Sequence, residues 1–328
     1  MSLRSAKSLV LLALSGCGAG DASSLVVHPD AVSDGARGRL EADVDDVVGA
    51  DGWRYAATDD AGHTMDTAKI IADPAGGYLA VYHTLVNGQF KVNLGTSSDV
   101  LHWHWVRELA GSNSGSASQP TIAQSGSAFV MAWEQEPRNH LKFVYFNSRD
   151  DLMRGAVAKS YEAPMVLSSC ANGTPNLYSA DANSVDVGFH YFANCDVDRE
   201  ARGTMNWRGF SASAQDKLDN ALLYWGVRGN IGGRDGYLAY GGYQFGLIEG
   251  QYTKGDFGTF RSFVYDYQTG NADPLAVHTH GGSRAFANPK FTNVTVDGQP
   301  ALVVTLFLPS EGAAPGEAGE LIYYRKIR

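Results

Sequence analysis

The chain has 328 residues, of which 44% are hydrophobic and 19% are charged. These proportions are ordinary for a globular protein, and the length fits one large all-β domain or two smaller domains. A formal net charge of −9 argues against a nucleic-acid-binding protein, which needs a basic face. The 38 glycines and 11% aromatic residues favour a β-rich fold with many turns.

The first 17 residues have the features of an export signal. Arg4 and Lys7 precede a short apolar run, SLVLLAL, which is too short to form a permanent membrane-spanning helix. The run ends in Leu-Ser-Gly-Cys at 14–17, which resembles the bacterial lipobox, a motif whose cysteine is lipidated and becomes the mature N-terminus. We therefore predict that the protein is exported and anchored to the bacterial membrane through Cys17, at the cell surface or facing the periplasm. An ordinary cleaved signal followed by a free cysteine is the alternative.

Residues 18–50 show little periodicity, so we predict a tether with some local structure ahead of a folded domain at 51–328. Four aspartates near its end suit either a solvated acidic loop, which we favour, or a calcium site: Asp43, Asp45, Asp46 and Asp51. No other cofactor or metal is expected.

Two further cysteines, Cys170 and Cys195, remain in an exported protein and predict a disulfide. A pair of buried thiols is the alternative.

A short proline-containing motif recurs at the start of predicted strands. Proline cannot donate a ladder hydrogen bond, so it is confined to a strand's first residue, an edge or a bulge. The copies are DTAKI (66–70, with alanine for proline), SQPTI (118–122), GTPNL (173–177) and ANPKF (287–291). A fifth start is inferred near 226–228. The starts recur roughly every 50 to 60 residues, which predicts a β-propeller of five blades.

Each start is followed by a turn and two more strands. The predicted second strands are 78–83, 128–133, 185–190, 237–240 and 301–306. The predicted third strands are 89–96, 141–147, 204–210, 259–268 and 320–327. The fifth blade then lacks an outer strand, which residues 53–58 are predicted to supply; this would close the ring and remove an open sheet edge.

Polar and aromatic residues cluster where first strands begin and second strands end, which in a propeller line the funnel at one end of the channel. We predict that these residues bind a carbohydrate, whose rings stack on aromatic faces and whose hydroxyls need fixed partners. They are His83, Gln119, Trp133, Asn176, His190, Tyr191, Arg228 and Asn288. The protein is expected to act as a monomer.

The DTAKI start, the turn Ser-Ser-Asp-Val-Leu-His-Trp at 97–103 and the five blades resemble the five-bladed glycoside hydrolases, chiefly families 43 and 32. The resemblance covers about residues 53–328. It implies that Asp66, which matches the aspartate that opens blade one in family 43, is the general base. The family's second aspartate and its acid glutamate open blades two and three, where this sequence has Gln119 and then Thr174 and Asn176.

Glycoside hydrolysis generally needs two carboxyl groups, so a second one must come from elsewhere. We predict that Glu134 is the acid, with Glu136 in reserve, because burial beside Trp133 would raise its pKa. His83 or His190 are alternative proton-transfer groups, and a lyase would add an arginine such as Arg228. The leading hypothesis is thus a glycoside-hydrolase-like enzyme using Asp66 and Glu134. A glycan-binding propeller without catalysis and a partner-binding propeller are the alternatives.

Overall fold

The structure is a computed structural model that describes residues 29–112 and 115–327. It is an all-β, five-bladed β-propeller, as the repeat predicted. The predicted signal segment, including Cys17, lies outside the described residues. None of the helices in the described ranges is long and apolar enough to cross a membrane.

Each blade is a four-stranded antiparallel sheet. Blade one contains β2 (Asp66–Ala72), β3 (Tyr78–Val86), β4 (Gln89–Ser97) and β5 (His104–Ala110). Blade two contains β6 (Ala117–Ser125), β7 (Ala128–Gln135), β8 (His140–Phe146) and β9 (Lys159–Glu162). Blade three contains β10 (Asn172–Ala180), β11 (Val185–Ala193), β12 (Val197–Met205) and β13 (Phe210–Ala214). Blade four contains β14 (Arg234–Tyr240), β15 (Tyr243–Gln251), β16 (Phe260–Asp266) and β17 (Asn271–Pro274).

Blade five is built from both ends of the propeller sequence. Its inner three strands are β18 (Ala287–Val296), β19 (Gln299–Leu308) and β20 (Gly319–Lys326). Its outer strand is β1 (Gly52–Arg54), which pairs antiparallel with β20 so that Trp53 lies opposite Tyr323.

The first strand of every blade contacts the first strand of the next, including β18 against β2, so these five strands surround the central channel. Four of them begin alike: a residue with positive φ is followed by a shift of register against the second strand. The positive-φ residues are Thr67 (57°), Gln119 (54°), Thr174 (44°) and Asn288 (48°). Pro120 lies in such a bulge, where no ladder donor is needed, and this explains the recurring proline.

Blade four departs from the predicted alignment. Residues 237–240 belong to the first strand, β14, and not to a second strand, while residues 226–228 precede the blade altogether. In blade three the third strand, β12, ends at Met205, so the predicted strand 204–210 was placed too late. The error in blade four arises because no proline motif marks the start of that blade.

The core lies between neighbouring blades, where apolar side chains of facing sheets pack together. The described ranges also contain three α-helices outside the blades: α1 (Pro29–Asp45), α2 (Arg149–Arg154) and α3 (Asp216–Tyr224). Helix α1 falls inside the segment predicted as a tether. Its Leu40 and Val44 are fully buried in the cluster that joins blades four and five, so this part of the segment is packed on the propeller.

Candidate functional site

A cavity of about 490 Å³ opens where the first strands begin. This volume lies within the range typical of small-molecule sites. Residues of all five blades form its wall: Asp66, Thr67, His83, Leu85, Phe90, Gln119, Glu134, Thr174, His190, Asp198, Asn230, Glu249, Phe257, Phe260, Ala287, Asn288, Phe307 and Pro309. We call this cavity the funnel.

The second strands present side chains to the funnel at equivalent positions. By register, His83 lies opposite Asp66, Glu134 opposite Ser118, and His190 opposite Gly173. Glu249 takes this position in blade four, where its amide donates to the Gly233 carbonyl. Histidine and glutamate therefore alternate around four blades.

At three of these four positions the side chain accepts a hydrogen bond from a backbone amide at the start of the next blade. We call this contact an amide clasp. The backbone amide of Gln119 donates to His83 Nδ1 at 3.2 Å, and the backbone amide of Thr174 donates to Glu134 Oε1 at 2.7 Å. A strand start with positive φ turns its N–H away from its own ladder, and a buried amide needs an acceptor. The clasps supply that acceptor.

The same arrangement continues around blades four, five and one. Glu249 accepts from the amides of Gly233 (2.7 Å) and Asn288 (2.6 Å). Glu320, on β20, accepts from Thr67 (2.9 Å) and from Ala68 (3.0 Å). Each boundary between these blades is therefore joined by a buried side chain.

Two glycines make room for the clasping glutamates. A Cβ on Gly173 would lie 2.2 Å from Glu134 Oε1, and a Cβ on Gly233 would lie 2.8 Å from the Glu249 carboxyl carbon. Both glycines occupy the position that Asp66 holds in blade one. The carboxyl groups of Glu134, from blade two, and Glu249, from blade four, thus occupy space that a side chain at these glycines would need.

Asp66 is the half-buried carboxylate of blade one. It accepts a hydrogen bond from Thr64 Oγ1 at 3.0 Å and has no amide clasp to make. Burial raises the pKa of its carboxyl group, and the Thr64 bond partly offsets this rise. A base whose pKa is closer to neutrality accepts a proton more effectively, which suits the predicted role.

The two funnel histidines differ in what they can do. Burial, with a smaller contribution from Lys290, lowers the pKa of His83 to about 3. Because Nδ1 of His83 accepts from an amide, the proton of the neutral ring lies on Nε2. His190 clasps no amide within the described ranges; its Nδ1 is buried without a partner there, and its Nε2 lies 3.6 Å from Asp198 Oδ1.

Apolar side chains form the outer part of the funnel. Phe90, Phe257, Phe260 and Phe307 line it together with Leu85. Phe257 is 54% exposed and lies in a short 3₁₀ turn, Phe257–Thr259, whose start is capped by Asp256. Exposed rings beside convergent polar groups are suited to stacking against a sugar.

The structure places six of the ten predicted site residues in this wall: Asp66, His83, Gln119, Glu134, His190 and Asn288. The other four do not line it. Trp133 points into the core between blades one and two and donates to Gln135, because it faces the opposite side of β7 from Glu134. Tyr191 packs in the core between blades two and three, and Asn176 is buried in β10.

Arg228 was predicted to bind substrate because blade four was misaligned. Its guanidinium is exposed and donates to the carbonyls of Leu223 and Val227, close to the end of α3. The reserve acid, Glu136, is exposed and does not line the funnel.

Asp198 and Glu249 were missed by the sequence analysis, as were the phenylalanines. The position of Glu249 could have identified it. Glu249 lies near the end of β15, the second strand of blade four, just as Glu134 lies near the end of β7. Asp198 follows the turn that holds Cys195, and no motif marks it.

The acidic residues near α1 make protein contacts. Asp46 pairs with Arg325 at 2.9 Å, and Asp43 accepts from the Tyr240 hydroxyl. Across the described ranges no group of three or more His, Cys, Asp or Glu residues is arranged to hold a metal ion. Cys170 and Cys195 form the predicted disulfide, with their Cα atoms 5.7 Å apart.

No protein-family model matches the chain. No curated protein is significantly similar to it in sequence. Solved structures do match its fold. A thermostable family-43 glycoside hydrolase aligns with a TM-score of 0.52 at 11% identity, covering 83% of this chain and 91% of its own.

Two longer proteins also match. An exo-β-1,3-galactanase from Clostridium thermocellum aligns with a TM-score of 0.54 at 13% identity, covering 84% of this chain and 62% of its own. A family-32 β-fructofuranosidase from Bombyx mori aligns with a TM-score of 0.50 at 14% identity, covering 80% of this chain and 60% of its own. The chain thus spans about three fifths of these two relatives. At these identities the likeness concerns the fold, and the chain is similar in fold to the five-bladed propeller glycoside hydrolases.

Proposed function

We propose that the funnel binds a glycan and that Asp66 and Glu134 are the carboxyl groups of a glycoside-hydrolase-like reaction. The observation that carries this proposal is that both carboxyl groups line one cavity, on adjacent blades, beneath apolar rings. The similarity in fold to glycoside hydrolases supports it at the level of the scaffold.

In this mechanism Asp66 accepts the proton of the attacking water. Its raised pKa makes it a stronger base than an exposed aspartate, and Thr64 fixes the orientation of its carboxyl group. Glu134 donates the proton to the leaving oxygen, while Thr174 and Ser118 hold its carboxyl group in place. Two carboxyl groups in these roles satisfy the requirement of hydrolysis.

A second candidate, glycan binding without turnover, is favoured by one contact. Glu134 accepts a hydrogen bond from the Thr174 backbone amide, just as His83 and Glu249 accept from backbone amides of their neighbouring blades. In this alternative Glu134 has only the structural role of an amide clasp. The funnel binds a glycan but lacks a group that donates a proton to the leaving oxygen.

A glycan panel that scores binding and product release separately tests the proposal. Asp66→Asn and Glu134→Gln should each lower kcat by about 10²- to 10⁴-fold, since each removes a proton-transfer group. Glu136→Gln is the matched control, because it changes a carboxyl two residues away that does not line the funnel. Binding without turnover in the wild type supports the second candidate, and unaltered turnover in both variants refutes the assignment of these residues.

We also propose that the protein is exported and lipid-anchored through Cys17. The Cys170–Cys195 disulfide supports export, because disulfides persist in oxidising compartments. Metabolic labelling with a fatty acid tests the anchor: Cys17→Ser should abolish the label and release the protein from the membrane fraction, and a labelled variant would refute the proposal.

A further inference from the structure

Apart from two histidines, the ionisable side chains that line the funnel are all acidic. Asp66, Glu134, Asp198 and Glu249 all line the cavity, and among the described lining residues there is no lysine or arginine. His83 is neutral at physiological pH because burial lowers its pKa. A concave wall of one charge sign concentrates ligands of the opposite sign.

Two lysines lie close to the funnel without lining it. Lys69 pairs with Asp235 and donates to the Phe291 carbonyl at 2.9 Å. Lys290 is buried, and its Nζ has no hydrogen-bond partner among the described residues. Burial lowers the pKa of Lys290, which favours its neutral form.

Two carboxylates of the funnel have few hydrogen-bond partners among the described residues. Glu134 and Glu249 are occupied by backbone amides, whereas Asp66 accepts only from Thr64 among the described residues. Among the described residues, the Asp198 carboxyl group has only the 3.6 Å contact with the His190 ring.

Gln119 adds a neutral acceptor to this set. Its Oε1 is buried and has no partner in the part of the chain that is described. An ammonium group offers three donors and a positive charge, which such acceptors require.

We propose that the funnel takes a sugar that carries a protonated amine, such as a hexosamine with a free amino group. Asp66 and Asp198 provide the anionic contacts, Gln119 a neutral one, and the phenylalanines the stacking surface. This inference rests on the proposed function, because it names the class of glycan for the same funnel. Glycans with carboxylate or sulfate groups are repelled by the same wall.

Matched monosaccharides test the proposal without knowledge of a linkage. The probes are glucosamine, glucose and glucuronic acid, and the corresponding galactose series, with binding measured by calorimetry or ligand-observed NMR at pH 6.5. In low salt, the amine should bind about five- to tenfold more tightly than the neutral sugar, and the acid more weakly than either. The amine's advantage should shrink in 0.5 M NaCl, because salt screens the attraction.

Substitutions at two aspartates separated by one residue locate the effect. Asp198→Asn should remove most of the preference for the amine, measured as the ratio of the amine and neutral-sugar affinities in the same variant. Asp196→Asn is the control: it changes the charge equally, but Asp196 is exposed, pairs with Lys254 and does not line the funnel. Its preference should match the wild type.

The outcomes separate this inference from the proposed function. If neutral sugars bind in the funnel as tightly as amines, or if acidic sugars bind best, the amine proposal fails and the glycan function stands. If none of the sugars binds, both fail. If added Ca²⁺ abolishes amine binding by competition that Asp198→Asn relieves, the acceptors serve a metal, and the amine proposal is overturned.

Discussion

At the scale of single residues, equivalent positions in the propeller have different roles. Three of them accept a hydrogen bond from a backbone amide of the next blade: His83, Glu134 and Glu249. His190, at the equivalent position of blade three, accepts none among the described residues. The sequence analysis identified the positions of His83, Glu134 and His190 from strand ends. The sequence analysis could not tell which of these side chains accept a hydrogen bond from the next blade. That depends on the direction in which the backbone amide of the neighbouring strand start points.

His83 gives a direct test of the clasp. With a pKa near 3 in the fold and about 6.5 in the unfolded chain, its ring takes up a proton on unfolding as the pH falls below 6.5. The free energy of unfolding should therefore decrease as the pH is lowered below 6.5. Chemical unfolding at pH 7 and pH 5 should show a smaller loss in His83→Gln than in the wild type. In NMR the wild-type ring should remain neutral at pH 5, with its proton on Nε2; a ring that titrates near 6.5 contradicts this assignment.

At the scale of elements, the recurring start motif predicted four blades in register. In blade four the predicted second strand, 237–240, is the first strand β14, and the second strand β15 was not predicted, because α3 and the loop after it replace the motif; the predicted third strand, 259–268, matches β16. Because of this error Glu249 was not recognised as a funnel residue, and Arg228 was predicted to bind substrate. Helix α1 was not foreseen either, since the apolar face that packs on blades four and five has no strong periodic signature.

Helix α1 should contribute to the stability of the propeller. Leu40→Ala removes a fully buried side chain and should lower the free energy of unfolding by about 2–5 kcal/mol. Val48→Ala, three residues beyond the helix and 50% exposed, should change it little. Denaturant midpoints measure both. Equal, small effects would show that α1 is a dispensable tether.

The disulfide should stabilise blade three. It joins the entry to β10 with the β11–β12 turn across 25 residues of sequence, a loop whose closure is worth about 3 kcal/mol. Replacing both cysteines by alanine should lower the melting temperature, and a reducing agent should then have no further effect. The double variant should also bind ligand more weakly, because Asp198 follows the same turn. An unchanged melting temperature would argue against a stabilising role.

At the scale of the whole molecule, Glu320 joins the last blade to the first through Thr67 and Ala68. Burial, reinforced by the charge of Asp66, raises the pKa of Glu320 to about 8. The folded protein therefore keeps a proton that the unfolded chain loses above about pH 4.3. The contribution is fully present at low pH and is lost as the pH rises through 8.

The effect of Glu320 can be isolated with Glu320→Gln. The variant should be less stable than the wild type at pH 5, by about 1–3 kcal/mol, since one amide loses its acceptor. Its stability should then change less between pH 5 and pH 8, because no carboxyl remains to ionise. Urea unfolding at both pH values tests this, and parallel curves for the two proteins would contradict the raised pKa.

The pairing of β1 with β20 has a consequence for how the chain is made. Trp53 lies opposite Tyr323, so β1 has no partner strand until β20 has been synthesised. Contacts this distant in sequence slow folding, and blade five lacks its outer strand until they form. Ring closure therefore waits for a strand made long after β1, and the four strands of blade five can assemble only once the other four blades have been synthesised.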